Sequence, residues 1–225
     1  MAFSRGLADN AVSLEAALAH ITEMVNATDL PVNADFEGGF AHDAEGVARN
    51  VLRCISIGVA GLSIEDSTGE AAHPLYELPL AVERVAAARA AIDQSGSGVL
   101  LTARAECFLT GHSDPLNEAI RRLQAFAAAG ADVLYAPGPT TREQIAAIVA
   151  CVNPKPVNIL MGPIGLTVAD LAALGVRRIS LGSALARAAW GGFLRAARDI
   201  AKNGSFAALA DAEPYADLNA FFLTR

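Results

Sequence analysis

The chain has 225 residues, 53% hydrophobic and 18% charged, enough for one sizeable core and pointing to a single domain. A formal charge of −7 at pH 7 argues against a nucleic-acid-binding surface. Apolar runs are interrupted by charges such as Asp132 and Arg187 before reaching membrane-spanning length, and the first twenty residues show no basic-then-apolar pattern. No membrane partner is therefore expected. Cys54, Cys107 and Cys151 are scattered without metal-like spacing and read as buried thiols of a reducing cytoplasm.

In chain order, Ser13 caps a helix expected through Val25, with Leu14, Leu18, Ile21 and Val25 on one face. Pro31–Asp35 reads as the first strand and runs into Phe36-Glu37-Gly38-Gly39. If the alternation of a strand continues, Asp35 and Glu37 project the same way from its end. The two glycines permit a sharp turn and leave room above the carboxylates. Two like charges so close are costly unless a proton or cation lies between them. A hard divalent cation with oxygen ligands, Mg²⁺ by preference, suits that position. A solvated acidic turn is the plain alternative at this point.

Val47, Val51, Leu52 and Ile55 mark the next helix, ended by Gly58, and Val59–Glu65 is a buried strand ending in Glu65-Asp66. Ser67 to Glu77 is a polar loop, read as a mobile lid. A helix is expected from about Pro79 to Asp93, then a strand from Val99 that ends on Arg104. Asp114 caps a helix with Pro115 at its first position, buried through Leu116, Ile120, Leu123 and Phe126 and stopped by Gly130. Asp132–Ala136 is a strand, and Thr140 with Glu143 forms a capping box for the helix to Cys151. Pro156–Met161 is a strand, Thr167 opens a short helix to Gly175, Arg177–Leu181 is the last strand, and Ser183 begins a long helix through about Lys202. Short helices are expected in the tail, Gly204 to Arg225.

Six strands alternating with helices indicate parallel βαβ units. Their ends carry Asp35/Glu37, Glu65/Asp66 and Arg104/Glu106, the layout of a (β/α)₈ TIM-type barrel site. An open doubly wound sheet would give the same local pattern but lacks a Gly-x-Gly-x-x-Gly fingerprint after the first strand. A barrel needs eight strands. The expectation is thus an N-terminally incomplete barrel with six βα units visible, a longer natural product, and poor solubility or assembly of this chain to cover its edges.

Five blocks occur in order: Asn33-Ala34-Asp35-Phe36-Glu37-Gly38-Gly39, Gly61-Leu62-Ser63-Ile64-Glu65-Asp66, Leu101-Thr102-Ala103-Arg104-Ala105-Glu106, Ala129-Gly130-Ala131-Asp132 and Lys155-Pro156-Val157-Asn158. Together they resemble the isocitrate lyase/phosphoenolpyruvate mutase superfamily over residues 1 to about 203. The resemblance implies a (β/α)₈ barrel, Mg²⁺ (Mn²⁺ also serving), and small 2-oxo acid substrates whose C–C or P–C bond is made or broken. It also implies homo-oligomers, dimers or tetramers, in which the helices of residues 183–225 pack on a neighbouring subunit. By position, Asp35 corresponds to the carboxylate nearest the metal, and Glu37 and Glu65 to ligands acting through water. Asp9 corresponds to a further carboxylate of that ring, Arg104 to the substrate-binding arginine, and Asn158 to a polar residue ending the family's seventh strand.

Two departures qualify the resemblance. The lyase branch carries a Lys-Arg-Cys-Gly-His segment whose cysteine is the acid/base, and the loop from Ser67 to Glu77 has no cysteine. The family's first strand and the Ser-Gly loop after its second would precede Met1. The expected function is a Mg²⁺-dependent lyase or decarboxylase acting on the C–C bond of a small 2-oxo or 2-hydroxy dicarboxylate through an enolate. The alternatives are a P–C bond enzyme of the mutase or phosphonopyruvate hydrolase kind, and a non-catalytic truncated barrel. Schiff-base chemistry is disfavoured, because the only lysines are Lys155, before a strand, and Lys202.

Overall fold

The computed structural model describes residues 2–8 and 11–223. The chain divides into two compact units, Met1–Ser180 and Leu181–Arg225. In the first, β1 (Asn33–Asp35), β2 (Gly61–Glu65), β3 (Leu100–Arg104), β4 (Val133–Tyr135), β5 (Val157–Leu160) and β6 (Arg178–Ser180) form one sheet in that order. Every neighbouring pair is parallel. The helices are α1 (Leu14–Asn26), α2 (Ala44–Ile55), α3 (Leu78–Ser95), α4 (Pro115–Ala128), α5 (Arg142–Cys151) and α6 (Val168–Ala173). The second unit holds α7 (Ala184–Asn203), a short 3-10 helix at Ala207–Leu209 and α8 (Tyr215–Leu223).

Sequential strands that pair in parallel need a crossover, and each helix between two strands supplies one. Helices cover the outer face of the sheet, so the strands are apolar almost throughout: Leu62, Ile64, Leu101, Ala103, Leu134 and Ile159 are buried. Against them α2 packs Val47, Val51 and Cys54, and α3 packs Ala81, Val85, Ala88, Ala91 and Ile92. The alanines of α3 keep that face thin and let the helix lie close to its neighbours.

The expected caps are present at Ser13, Asp114 and Thr167, each accepting from a backbone N–H three residues on. The capping box of α5 is Thr141 with Gln144, one residue later than Thr140 and Glu143. Thr141 Oγ1 accepts from Gln144 N at 3.2 Å, and Gln144 Oε1 reaches back to Thr141 N at 3.3 Å and Thr140 N at 3.0 Å. The strands are shorter than their apolar runs, because pairing stops where the chain turns into the loops.

Strands β1 and β6 are the edges of the sheet. Arg178 of β6 nevertheless donates from Nη1 to Asn33 Oδ1 of β1 at 3.2 Å and to Thr102 Oγ1 of β3 at 3.1 Å. The sheet therefore curls far enough for a side chain on one edge to reach the other, as six consecutive units of a (β/α) barrel would. Among the described residues, no helix is long and apolar enough to cross a membrane.

Candidate metal and substrate site

The turn after β1 departs from the strand alternation expected for it. Pairing ends at Asp35, and Glu37 (φ 47°), Gly39 (φ 74°) and Phe40 (φ 53°) are left-handed. Such a backbone is costly for Glu37 and Phe40 and persists only where its surroundings fix it. Here Asn50 Nδ2 donates to the carbonyls of Gly39 (2.9 Å) and Phe40 (3.2 Å). The buried Arg84 donates to the carbonyls of Ala41 (2.5 Å), His42 (2.6 Å) and Gly38. A Cβ on residue 38 would stand 3.1 Å from Arg84 Nη2, so the glycine there gives the guanidinium its room. Asp35 and Glu37 still line one cavity, because the turn and not the pleat carries Glu37 around.

That cavity, about 570 Å³, is also lined by Glu65, Arg104 and Glu106. Arg104 lies among the acids: Nη1 is 2.7 Å from Asp35 Oδ1, Nη2 is 3.0 Å from Glu65 Oε2, and Nε is 2.8 Å from Glu106 Oε1. Ser63 Oγ donates to Asp35 Oδ1 at 3.3 Å. The side chains of Arg104, Glu65 and Glu106 are 13%, 11% and 5% exposed, whereas that of Asp35 is 73% exposed. Asp35 is thus the carboxylate that remains open to solvent.

Behind this cluster lies a second buried ion pair. Asp66 accepts from Glu106 N at 2.8 Å and from Arg122 Nη1 at 3.0 Å. Arg122 also donates to the Tyr76 carbonyl (2.8 Å) and to Glu118 Oε1 (2.7 Å). It therefore joins the ends of β2 and β3 to the foot of the 67–77 loop. The loop is stapled on itself, with a Ser67–Leu75 bridge, Thr68 N on the Pro74 carbonyl (3.1 Å) and Tyr76 N on the Asp66 carbonyl (2.9 Å).

Burial pushes the Glu65 carboxyl up to about 8, opposed by Arg104 and reinforced by Glu106, Asp35 and Glu37. Burial also raises Glu106, again against Arg104. For Arg104, burial favours the neutral form, but Glu106, Glu65 and Asp35 outweigh it and hold the guanidinium firmly charged.

The donor set fits a hard divalent cation. Four carboxylates and one guanidinium face a single cavity, every acidic donor is oxygen, and burial, reinforced by the neighbouring carboxylates, raises both Glu65 and Glu106. Among the described residues no three acids, histidines or cysteines form a ready-made cage. The residues bordering the cavity that would hold Mg²⁺ are Asp35, Glu37 and Glu65.

Of the other expected site residues, Arg104 is at the centre and Asp9 lies outside the described residues. Asn158 is not among the cavity-lining residues. Its Nδ2 donates to Ser180 Oγ at 3.0 Å, and its buried Oδ1 has no partner among the described residues. Sequence reasoning missed Ser63, Arg84 and Arg122. The signal for Arg84 was present: it falls on the apolar stripe of Ala81, Val85 and Ala88, where a charge has to have a purpose.

Residues 1–201 match the phosphoenolpyruvate phosphomutase family. The chain belongs to the phosphoenolpyruvate mutase family. A protein of Burkholderia cenocepacia J2315, provisionally classed as a lyase/mutase, superposes with a TM-score of 0.94 at 46% identity over 99% of this chain and 80% of its own. The oxaloacetate decarboxylase of Paraburkholderia xenovorans (strain LB400) is 35% identical over 164 residues, 70% of this chain and 52% of that enzyme. This phosphoenolpyruvate mutase family chain thus spans about half the length of that curated relative. A phosphonopyruvate hydrolase, solved with oxalate and Mg²⁺, superposes with a TM-score of 0.79 at 27% identity, covering 95% of this chain and 76% of the other.

Proposed function

We propose that the chain is a divalent-metal-dependent carbon–carbon lyase or decarboxylase, acting on a small 2-oxo or 2-hydroxy dicarboxylate through an enolate. The observation that carries this reading is the cluster at the ends of β1, β2 and β3, where one guanidinium is held by three carboxylates beside an open cavity. When bound, Mg²⁺ (or Mn²⁺) supplies Lewis-acid polarisation of the 2-oxo group. The chain's own residues do the rest. Asp35, with Glu37 and Glu65, provides the oxygens. Arg104 presents a planar fork to a substrate carboxylate, which lysine would do less well. Glu106 keeps that fork oriented from Nε, and Ser63 fixes Asp35.

The cavity favours a carboxylate over a phosphonate. Arg104 is the only cationic arginine or lysine lining it among the described residues, and it already faces three acids, which leaves little positive charge for a phosphonate dianion. Asp9 remains a proposed further carboxylate of the ring and Asn158 a proposed substrate-side polar group. A cytoplasmic homo-oligomer, dimer or tetramer, without nucleic acid or membrane partner, completes the reading.

Thermal unfolding with Mg²⁺ or Mn²⁺, with and without oxalate as a planar mimic of the pyruvate enolate, tests it. Metal should raise the Tm and oxalate should raise it further only when metal is present. An oxalate effect independent of metal would overturn the reading.

A further inference from the structure

A second cavity, of about 430 Å³, shares Glu37, Phe40, Glu65 and Ser67 with the first and is also lined by His42 and Tyr76. His42 Nδ1 lies 2.6 Å from Tyr76 Oη, and the two rings meet edge to face with centroids 6.0 Å apart. The guanidinium carbon of Arg84 lies 4.1 Å from the centroid of the Tyr76 ring. Among the described residues Arg84 makes no ion pair; its donors go to the Gly38, Ala41 and His42 carbonyls. A buried cation in no ion pair stabilises negative charge that develops nearby, and the Tyr76 ring is in direct contact with it.

An enolate must take up a proton at carbon to become a 2-oxo acid. Asp35, Glu65 and Glu106 are turned to Arg104 and engaged by its three donor nitrogens. Tyr76 offers a hydroxyl, in no ion pair among the described residues, at the neighbouring cavity that shares Glu37, Phe40, Glu65 and Ser67 with the first. Burial raises its pKa above the ordinary phenol range, with Arg84 opposing, so the phenol keeps its proton at neutral pH.

We propose that Tyr76 is the catalytic proton donor to the enolate and that His42 is a positioning residue that restores its proton. The proposal rests on the enolate reading above. With a 2-oxo dicarboxylate such as oxaloacetate, the bond from the methylene carbon to the distal carboxylate breaks. Its electron pair enters the enolate and CO₂ leaves. The Tyr76 O–H bond then breaks, the proton goes to the methylene carbon, and the pair stays on the phenolate oxygen, whose ring lies against Arg84. His42 Nδ1–H returns a proton to that oxygen as its Nε2 takes one from solvent. The exposed imidazole then returns to its Nδ1–H tautomer by proton exchange with solvent, losing the Nε2 proton and regaining one at Nδ1; in that tautomer Nδ1–H donates to Tyr76 Oη and leaves the phenolic hydrogen for the cavity.

The test separates bond cleavage from protonation. CO₂ release from oxaloacetate and, in a separate assay, exchange of the methyl hydrogens of added pyruvate for deuterium in heavy water are measured on the Mg²⁺-loaded protein. In Tyr76→Phe, CO₂ release should stay close to wild type, with transient enolpyruvate released. Methyl deuteration should fall by about 100-fold or more. His42→Gln, a change at an exposed side chain, should lower deuteration in the same selective way. His112→Gln, at an exposed side chain that lines neither cavity, should change neither rate. Parallel loss of both rates in Tyr76→Phe and His42→Gln would mark the pair as structural and overturn the proposal, as would retention of both. Wild-type protein that neither releases CO₂ nor exchanges pyruvate would overturn the enolate reading itself and the proposal with it.

Discussion

At the residue scale the account turns on Arg104 and its three carboxylates. Sequence order alone placed Asp35, Glu65 and Arg104 at neighbouring strand ends, since each closes an apolar run. It could not show that all three acids would point to one guanidinium, because that depends on the curl of the sheet and on side-chain rotamers. Asp35 is the most exposed of the three, so Asp35→Ala should leave the fold intact and abolish Mg²⁺-induced stabilisation in a thermal shift. Glu65 carries a pH signature. Its folded carboxyl titrates at about 8 against 4.5 as a free side chain, so the native state holds the proton longer than the unfolded chain. That contribution to stability is fully present below the unfolded value and is lost as pH rises through the folded one. The metal-free protein should therefore lose Tm between about pH 5 and about pH 9, and Glu65→Gln should flatten the slope. An unchanged slope in Glu65→Gln would assign the titration elsewhere.

At the element scale, helices were legible where capping chemistry and apolar stripes coincided, as at Ser13–Val25 and after Asp114-Pro115. The α5 box moved by one residue because Thr140 and Thr141 are both possible caps, and the choice falls on the one whose partner, Gln144, has an amide that reaches two backbone N–H groups. The turn at 37–40 was illegible in detail. Left-handed Glu37 and Phe40 are imposed from a distance by Asn50 and Arg84, and no local pattern announces that. The 67–77 loop was read as a mobile lid. Its two arms are hydrogen-bonded to each other, so movement over the site would be of the 69–73 tip or of the whole hairpin about Asp66 and Tyr76. Its foot depends on Arg122, whose side chain is 6% exposed and paired with Asp66, itself 2% exposed. Arg122→Ala strands a buried carboxylate and should cost about 3–5 kcal/mol in urea unfolding. Arg122→Ala with Asp66→Asn should recover part of that loss.

At the scale of the whole molecule, six βα units were legible from alternation alone, and the structure has those six in sequence order. What pattern could not give was the curvature, which shows in the reach of Arg178 from one edge strand to Asn33 on the other. The second unit exposes Trp190 and Phe193 on α7 and Tyr215, Phe221 and Phe222 on α8. That is more aromatic surface than a free terminus would carry, so association through these helices is expected. Light scattering at micromolar concentration should return a dimer or tetramer, and Phe193→Glu with Phe222→Glu should shift it toward monomer. A monodisperse wild-type monomer would count against subunit contacts there.

The most direct test is the rate of CO₂ release from oxaloacetate by the purified chain, with Mg²⁺ and after chelation, for wild type and Asp35→Ala. Turnover that requires the metal, is inhibited by oxalate and is lost in Asp35→Ala is the predicted result. Turnover that survives both chelation and Asp35→Ala would contradict a divalent-metal-dependent site at the ends of β1, β2 and β3.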